Sequence, residues 1–491
     1  MRHDIWIQGK RAWAVLALCG ATAVALPAQT FSVLYDFCSQ VGCLDNRHPY
    51  PALIQGPDGN LYGGVCAGGA YRNGTIFKLT PAGQMTTLYN FCSQMGCADG
   101  AYPYGSLVLG IDGNFYGATW WGGTAGYGTL FKMTPGGQLT TLHTFCLETG
   151  CPDGEYPWGY LIQDNLGNIY GTATAGGGLG SDGTVFQLAP TGDLQVIHSF
   201  CSLSGCADGR MPNGGLILEP VSGILYGTTQ SGGAHNQGTV FSITASGVLT
   251  TLYNFCSQSG CADGGIPDFL VLGTDGNLYG TAENGGAMNS GTFFKMSPAG
   301  QLVTVYSFCS QPGCADGSDP WDLIQASDGN FYGITVEGDV PDTDTGTIFK
   351  ITPSGSLTVL HTFCSGGAPC TDGWLPSNTG LVQHTNGNFY GTVSKGGNLT
   401  NAGTAFSLST GLAPFVMTVP GAGSAGAAVQ ILGTNLTGAT SVRFNGKAAA
   451  FDVLSSSEIT ATVPAGATTG AVQVVTRGGT LSSNVSFTVL P

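Results

Sequence analysis

Residues 106–140 read SLVLGIDGNFYGATWWGGTAGYGTLFKMTPGGQLT. Short apolar runs alternate here with the turn signals Asp-Gly-Asn, Gly-Gly and Pro-Gly-Gly. Gly and Asn accept positive φ, so Asp112-Gly113-Asn114 reads as a hairpin between adjacent strands. Upstream lie one more apolar run, Thr87–Phe91 (TLYNF), and a Cys pair in CSQMGCADG (92–100). The unit therefore offers four short strands.

The unit recurs. Cys38 pairs in spacing with Cys43, Cys92 with Cys97, Cys146 with Cys151, Cys201 with Cys206, Cys256 with Cys261, Cys309 with Cys314, and Cys364 with Cys370. The first members stand 53 to 55 residues apart. Tyr-Gly returns at Tyr62, Tyr116, Tyr170, Tyr226, Tyr279, Tyr332 and Tyr390, and Gly-Thr-x-Phe ends at Phe77, Phe131, Phe186, Phe241, Phe294, Phe349 and Phe406. A fixed period of this length marks a repeat architecture. Four strands per unit, seven times over, predict an all-β, seven-bladed β-propeller. The TLYNF-type strand comes first at Phe31–Phe37 and is missing after Phe406, so the N-terminal strand is expected to complete the last blade. A linear solenoid has no use for that phase shift.

The DGNFYG segment (Asp112–Gly117) and the GGxxxxGTLFKMTPGG segment (Gly122–Gly137), repeated over about residues 31–410, resemble the GloVer tandem-repeat family of exported bacterial proteins. That resemblance implies an extracellular location and no established reaction. From about Ala413, Cys and aromatics nearly vanish. Val429–Ile431, Ser441–Phe444, Ile459–Val463 and Ala471–Val474 alternate like half-buried strands. With GTNL (433–436), VRFNG (442–446) and VPAG (463–466), this part resembles an IPT/TIG immunoglobulin-like β-sandwich, which implies a spacer or interaction module. The expected division is a signal peptide at 1–28, the propeller at 29–411 and the immunoglobulin-like domain at 412–491.

Only 9% of the 491 residues are charged, whereas 81 are Gly. With 42% hydrophobic residues the chain has a core to bury and is not disordered. The net charge is −15, and residues 31–412 hold 8 basic against 26 acidic side chains. With no basic stripe to neutralise phosphates, nucleic acid and anionic membrane surfaces are excluded as partners. Arg2, Lys10 and Arg11 before the apolar run Ala12–Ala25 read as a secretory signal, too short for a membrane span. The mature chain is expected to be secreted or at the cell surface.

In an exported protein the Cys pairs read as seven local disulfides, each closing a short loop. Cys66 has no counterpart and is read as a free thiol or an intermolecular link. The recurring Asp99, Asp208, Asp263 and Asp316 read as Asx turns that hold the Cys loops. His143, His198 and His361 stand where other units have Tyr and read as repeat residues. No HExxH, GxSxG or phosphate-binding loop is present. A calcium candidate is the oxygen-rich stretch at Asp339, Asp342 and Asp344; no other cofactor is expected.

Function is sought where the repeats differ, because binding sites favour variable loops on a rigid scaffold. Two rows of variable residues flank the inner strands and are expected to ring a channel mouth. The first supplies Tyr50, Tyr104, Trp158, Asn213, Asp268 and Trp321. The second supplies Trp120, with Trp121 beside it, Gln230 and Glu283. Aromatic rings next to amides and carboxylates suit a glycan or peptide ligand; packing between blades is the competing reading. The expected function is binding or surface interaction, more in keeping with the residues than catalysis. The alternative is a carbohydrate-active enzyme, a glycoside hydrolase or lyase, for which Asp268, Glu283, Asp319 and Asp322 are the acids to nominate.

Overall fold

The computed structural model describes residues 29–40, 43–44, 47–158, 160–178, 182–338, 345–377, 379–397 and 401–491. The expected signal peptide (1–28) and the calcium candidates Asp339, Asp342 and Asp344 lie outside the described residues. What is described is all-β, with single 3-10 turns such as Met95–Cys97 and Ser259–Cys261 inside the Cys loops.

The repeat forms a succession of antiparallel sheets. The opening stretch and its continuation make one of them, in the order Val108–Leu109, Phe115–Thr119, Thr129–Met133, Leu139–Thr144. The Asp-Gly-Asn turn works as its residues demand. Asp112 accepts from the backbone N–H and side-chain amide of Asn114 at 3.1 and 2.9 Å, and from the Tyr116 hydroxyl at 3.0 Å. Lys132, opposite Tyr116 on the next strand, adds an ion pair at 2.6 Å. Burial pushes the Asp112 carboxyl up, and these donors more than offset it, holding it at about 2.

The last sheet of the repeat runs Val382–Gln383, Phe389–Val393, Thr404–Ser409 and then Thr30–Asp36. Thr30 faces Ser409 and Asp36 faces Thr404 in an antiparallel pairing. The strand expected to complete the last unit from the N-terminus does so.

One Phe pair repeats between sheets. Phe91 sets its ring edge-on to Phe131 of the following sheet at 5.4 Å, Phe145 meets Phe186 at 5.3 Å, and Phe255 meets Phe294 at 5.3 Å. Phe37, just after the first strand, meets Phe77 in the same way at 5.6 Å. The seventh and first repeats therefore share one apolar cluster, containing Phe37, Leu61, Phe77, Tyr390 and Ala405. The Gly of Gly-Thr-x-Phe has a similar role. Gly128 has φ +104°, and a Cβ there would lie 2.7 Å from Pro157 of the next sheet; at Gly403 it would lie 2.8 Å from Pro49. Only Gly meets both conditions.

The C-terminal part is a sandwich. One sheet runs Met417–Val419, Ala428–Leu432, Glu458–Thr462, Phe451–Val453; the other runs Lys447–Ala448, Ser441–Phe444, Val472–Thr476, Gly479–Ser482. Val429, Ile431, Val442, Phe444, Ile459 and Val474 fill its core. It is joined to the Asp-Gly-Asn side of the repeat. The Ser457 hydroxyl donates to the Pro57 carbonyl at 2.8 Å, and the Phe415 N–H donates to the Thr385 carbonyl at 3.0 Å.

Candidate functional site

All seven Cys pairs are bonded as read. Cys38 is bonded to Cys43, Cys92 to Cys97, Cys146 to Cys151, Cys201 to Cys206, Cys256 to Cys261, Cys309 to Cys314, and Cys364 to Cys370. The closing cysteines are of two kinds. Cys43 and Cys314 each donate their N–H three residues back, to the Gln40 and Gln311 carbonyls at 3.0 Å, and both have positive φ, 55° and 57°. Cys370, one residue further from its partner than the others, lacks that positive φ. Its carbonyl still accepts from Gly373 and Gly397 at 3.2 and 3.0 Å, so the longer loop ends in the same place. Cys314 is buried, whereas Cys43 and Cys370 are half-buried. The cysteines thus shape the loops that carry the candidate site.

A buried Asp holds each typical loop. Asp99 accepts from the Tyr89 hydroxyl (2.8 Å), the Ser93 N–H and hydroxyl (2.9 and 2.8 Å) and the Gln94 N–H (3.2 Å). Where Tyr is replaced by His, the ring reaches the same acid: His198 meets Asp208 at 3.2 Å and His361 meets Asp372 at 3.0 Å. These His are thus interchangeable with Tyr as partners of the loop Asp. Burial lowers the pKa of His198, against the pull of Asp208.

The loops deliver a recurring x-Pro segment to the inner strands. The residue before Pro has positive φ in every unit: His48, Tyr102, Tyr156, Met211, Ile266, Asp319 and Leu375. The conformation is held from the preceding unit and from within its own unit. The Tyr102 N–H donates to the Asn73 carbonyl at 2.9 Å, and its own carbonyl accepts from the Trp120 N–H at 2.9 Å. This clamp fixes the residue after the Pro, which belongs to the first variable row.

The clamp brings the aromatic candidates together. Tyr50 lies 5.4 Å from Tyr104, and Tyr104 stacks on Trp158 at 4.7 Å. Trp120 stands edge-on to both Tyr104 (5.5 Å) and Trp158 (5.8 Å), and Trp121 touches Trp120 at 5.8 Å. Trp121 is 43% exposed; the other four are half-buried. Tyr156 and Tyr127, not foreseen, extend the cluster behind Trp120. Trp321 stands apart, edge-on to Phe269 at 6.2 Å.

Between them is a pit of only about 10 Å³, lined by Tyr104, Ser106, Trp158, Tyr160, Phe269 and Trp321. Tyr160 and Phe269, 4.6 Å apart, form its floor. Below that floor, towards the C-terminal domain, lies a cavity of about 380 Å³ that Asp322, Gln383 and Asn484 reach. Asp322 is therefore not grouped with the other acids. Burial raises it to about 6, against N–H donors from Leu323 and Leu381. A groove of about 490 Å³ runs between Val108, Ile162, Leu216 and Leu272 of the repeat and Pro420 and Ala422 of the sandwich. No sequence signal marked Tyr160 or Phe269 as floor residues. The strand Gly265–Leu272 shifts register between Pro267 and Leu270, and that irregularity carries Phe269 inward.

Three of the nominated acids, Asp268, Glu283 and Asp319, converge. Asp268, 1% exposed, faces Glu283 and Asp319, with the Gln230 amide beside it. Burial, then these two carboxyls, pushes Asp268 well above the usual carboxylate range. Glu283 is likewise raised by burial. Asp319 is raised to about 7 by burial, then by Glu283 and Glu337. Asn213 is buried, 9% exposed. Cys66 is a free thiol here: it is buried, donates to the Pro103 carbonyl at 3.5 Å, and burial pushes its pKa up.

The Gloeobacter/Verrucomicrobia repeat matches residues 48–274 and 266–441. The chain belongs to that repeat family. The IPT/TIG domain matches residues 414–489. No curated protein matches this Gloeobacter/Verrucomicrobia-repeat protein in sequence. Among solved structures, a fungal alcohol oxidase of the AA5 family in complex with copper is similar with TM-score 0.50 at 12% identity, over 91% of this chain and 100% of the oxidase. The extracellular domain of BT4673 from B. thetaiotaomicron gives TM-score 0.48 at 12% identity, over 94% of this chain and 58% of its own. A streptogramin B lyase gives TM-score 0.38 at 14% identity, over 62% of this chain and 93% of the lyase. At such identities the likeness concerns the fold alone. Among the described residues no helix is long and apolar enough to cross a membrane.

Proposed function

We propose that the seven repeats are the blades of a seven-bladed β-propeller at about 29–411, and that this exported protein binds a carbohydrate or peptide on its Cys-loop face. The first-to-last strand pairing and the cluster shared by Phe37 and Phe77 support the propeller reading. Seven disulfides suit an oxidising, extracellular compartment.

The observation that carries the binding reading is an asymmetry between the two faces. The face opposite the Cys loops varies less, with Asp-Gly-Asn in four of the seven units, and meets the C-terminal domain through Pro57 and Thr385. The other face keeps Tyr50, Tyr104, Trp120, Trp121 and Trp158 in one aromatic arc and gathers Gln230, Asp268 and Glu283 in a polar cluster. Flat rings stack on the apolar faces of sugars or side chains, and the polar groups fix orientation. The C-terminal domain, about 412–491, acts as a spacer or second interaction module.

The experiment is an array of glycans and peptides probed with the full chain and with Trp121→Ala and Trp158→Ala. Retention on a defined class that either variant reduces about tenfold supports the reading, a loss of the size expected when a stacking ring is removed. Uniform indifference of both variants defeats it. A second reading, a glycoside hydrolase or lyase, is favoured by one observation: Asp268 and Glu283 are adjacent carboxyls with raised pKa. Release of product from a retained glycan would decide for the enzyme.

A further inference from the structure

Among the described residues, the buried aspartates of the Cys loops follow one rule, and Asp268 departs from it. Asp99, Asp263 and Asp316 are each 0% exposed and each accept four hydrogen bonds from the loop they hold. Asp268 is equally buried, at 1% exposed, yet neither of its oxygens has a hydrogen-bond partner of good geometry. Oδ1 of Asp319 is buried without a partner as well. A buried acceptor with no donor is costly to leave in a fold, and natural chains leave few of them.

The charges that face this cluster deepen the exception. Those on Asp268 come from Glu283 and Asp319, and those on Asp319 from Glu283 and Glu337. None is basic. The lysines of these units are committed elsewhere: Lys295 to Asp275 and Lys350 to Asp328, both at 2.8 Å on the Asp-Gly-Asn side. The Gln230 amide and the Glu283 carboxyl stand within hydrogen-bonding reach of Asp268, so the partner these facing charges lack is a cationic donor.

A metal ion fits poorly. Among the described residues, the triads whose ligand atoms lie within 4.8 Å of one another are Cys146, Cys151 and Glu155, and Asp182, Cys201 and Cys206. The acids of the mouth are not among them, and both triads contain disulfide sulfur. An ammonium group carries three N–H donors and no acceptor, matching the three unpartnered oxygens. Trp321, next in sequence but one to Asp319, lines the same pit as Trp158 and Tyr104 and offers a flat surface to whatever carries the amine.

We infer that Asp268, Glu283 and Asp319 receive a protonated primary amine borne by the ligand. This rests on the binding reading above and narrows it to amine-bearing sugars or peptides. The ammonium group enters from the mouth past the half-buried Glu283 and donates to Asp268 and Asp319, with Gln230 flanking them.

The test is calorimetric titration of the full chain at about pH 6.5, where both kinds of amine carry charge. One arm uses a glucosamine tetramer and its N-acetylated form; the other uses a lysine-containing peptide and its acetyl-lysine form. The inference expects one free-amine ligand to bind at least about tenfold more tightly than its acetylated partner. Asp268→Asn should abolish that preference, so that the free-amine and acetylated ligands bind with the same affinity. Should that variant fail to melt cooperatively, Glu283→Gln serves, with the same loss expected. Equal affinity for free and acetylated ligands overturns the inference and leaves the binding reading standing. Absence of binding in all four titrations overturns both.

Discussion

At the residue scale, two buried acids give this protein a distinctive pH response. Asp319 is raised to about 7 by burial and by Glu283 and Glu337, and Asp322 to about 6 by burial. Both therefore sit above their unfolded values. Between about pH 4 and pH 7 the native state holds more protons than the unfolded chain, so these groups stabilise the fold at low pH and lose that contribution as pH rises through the window. Asp319→Asn should remove the cost of ionising that site. Its unfolding free energy at about pH 8 should exceed that of the natural chain by about 2 kcal/mol, after discounting for partial exposure, and should match it near pH 4. Denaturant melts at the two pH values check this, and an unchanged pH profile would refute it. Asp268, Glu283 and Asp319 were legible in the sequence as variable acids in a uniform repeat. Their convergence was not, because it depends on which loops a bulge turns inward.

At the scale of elements, the Cys loop shows how much one acid does in this fold. The loop Cys92–Cys97 contains positive-φ residues at both cysteines and at Gly96. A disulfide across so short a loop contributes little chain entropy, about 2 kcal/mol. The four hydrogen bonds to Asp99 hold the same loop from inside. Asp99→Ala leaves the Ser93 and Gln94 N–H groups without their acceptor and should cost about 3 kcal/mol. Replacing both Cys92 and Cys97 by Ser should cost less, and chemical denaturation of the two variants would rank them. A larger loss for the Cys variant would show that the bond, not the carboxylate, organises the loop. Sequence showed the loop, its bridge and the role of its Asp. It also showed the strands, because Asp-Gly-Asn, Tyr-Gly and Gly-Thr-x-Phe mark their ends. What it did not show is that the Tyr of Tyr-Gly serves twice. Tyr62 packs its ring against Phe115 of the next sheet at 4.2 Å and donates its hydroxyl to Asp58 at 2.9 Å. A pattern of spacings records that a residue recurs, not how many partners it satisfies.

At the scale of the whole molecule, the propeller reading turns on whether the first and last repeats are coupled like any other pair. The Phe pair between sheets makes this measurable. Phe145, at an interior interface, and Phe37, where the chain's beginning meets its end, are 0% and 2% exposed. Each meets one Phe of the following sheet, Phe186 at 5.3 Å and Phe77 at 5.6 Å. In a closed ring the two positions are equivalent, so Phe37→Ala and Phe145→Ala should each cost about 3 to 4 kcal/mol. In an open array the terminal contact would fray independently of the rest, as ends of linear repeats do. Phe37→Ala would then leave the main transition unmoved, while Phe145→Ala would lower it. Equal shifts of one cooperative transition support the ring; a silent Phe37→Ala refutes it. On the ring reading, the strand Thr30–Asp36 is what joins the last repeat to the first. It leaves Thr404–Ser409 no free edge, and an unpaired edge there would be open to pairing with another chain. A truncation that begins after Phe37 should therefore both destabilise the repeat and promote self-association, read as a lower melting temperature and a larger species by light scattering.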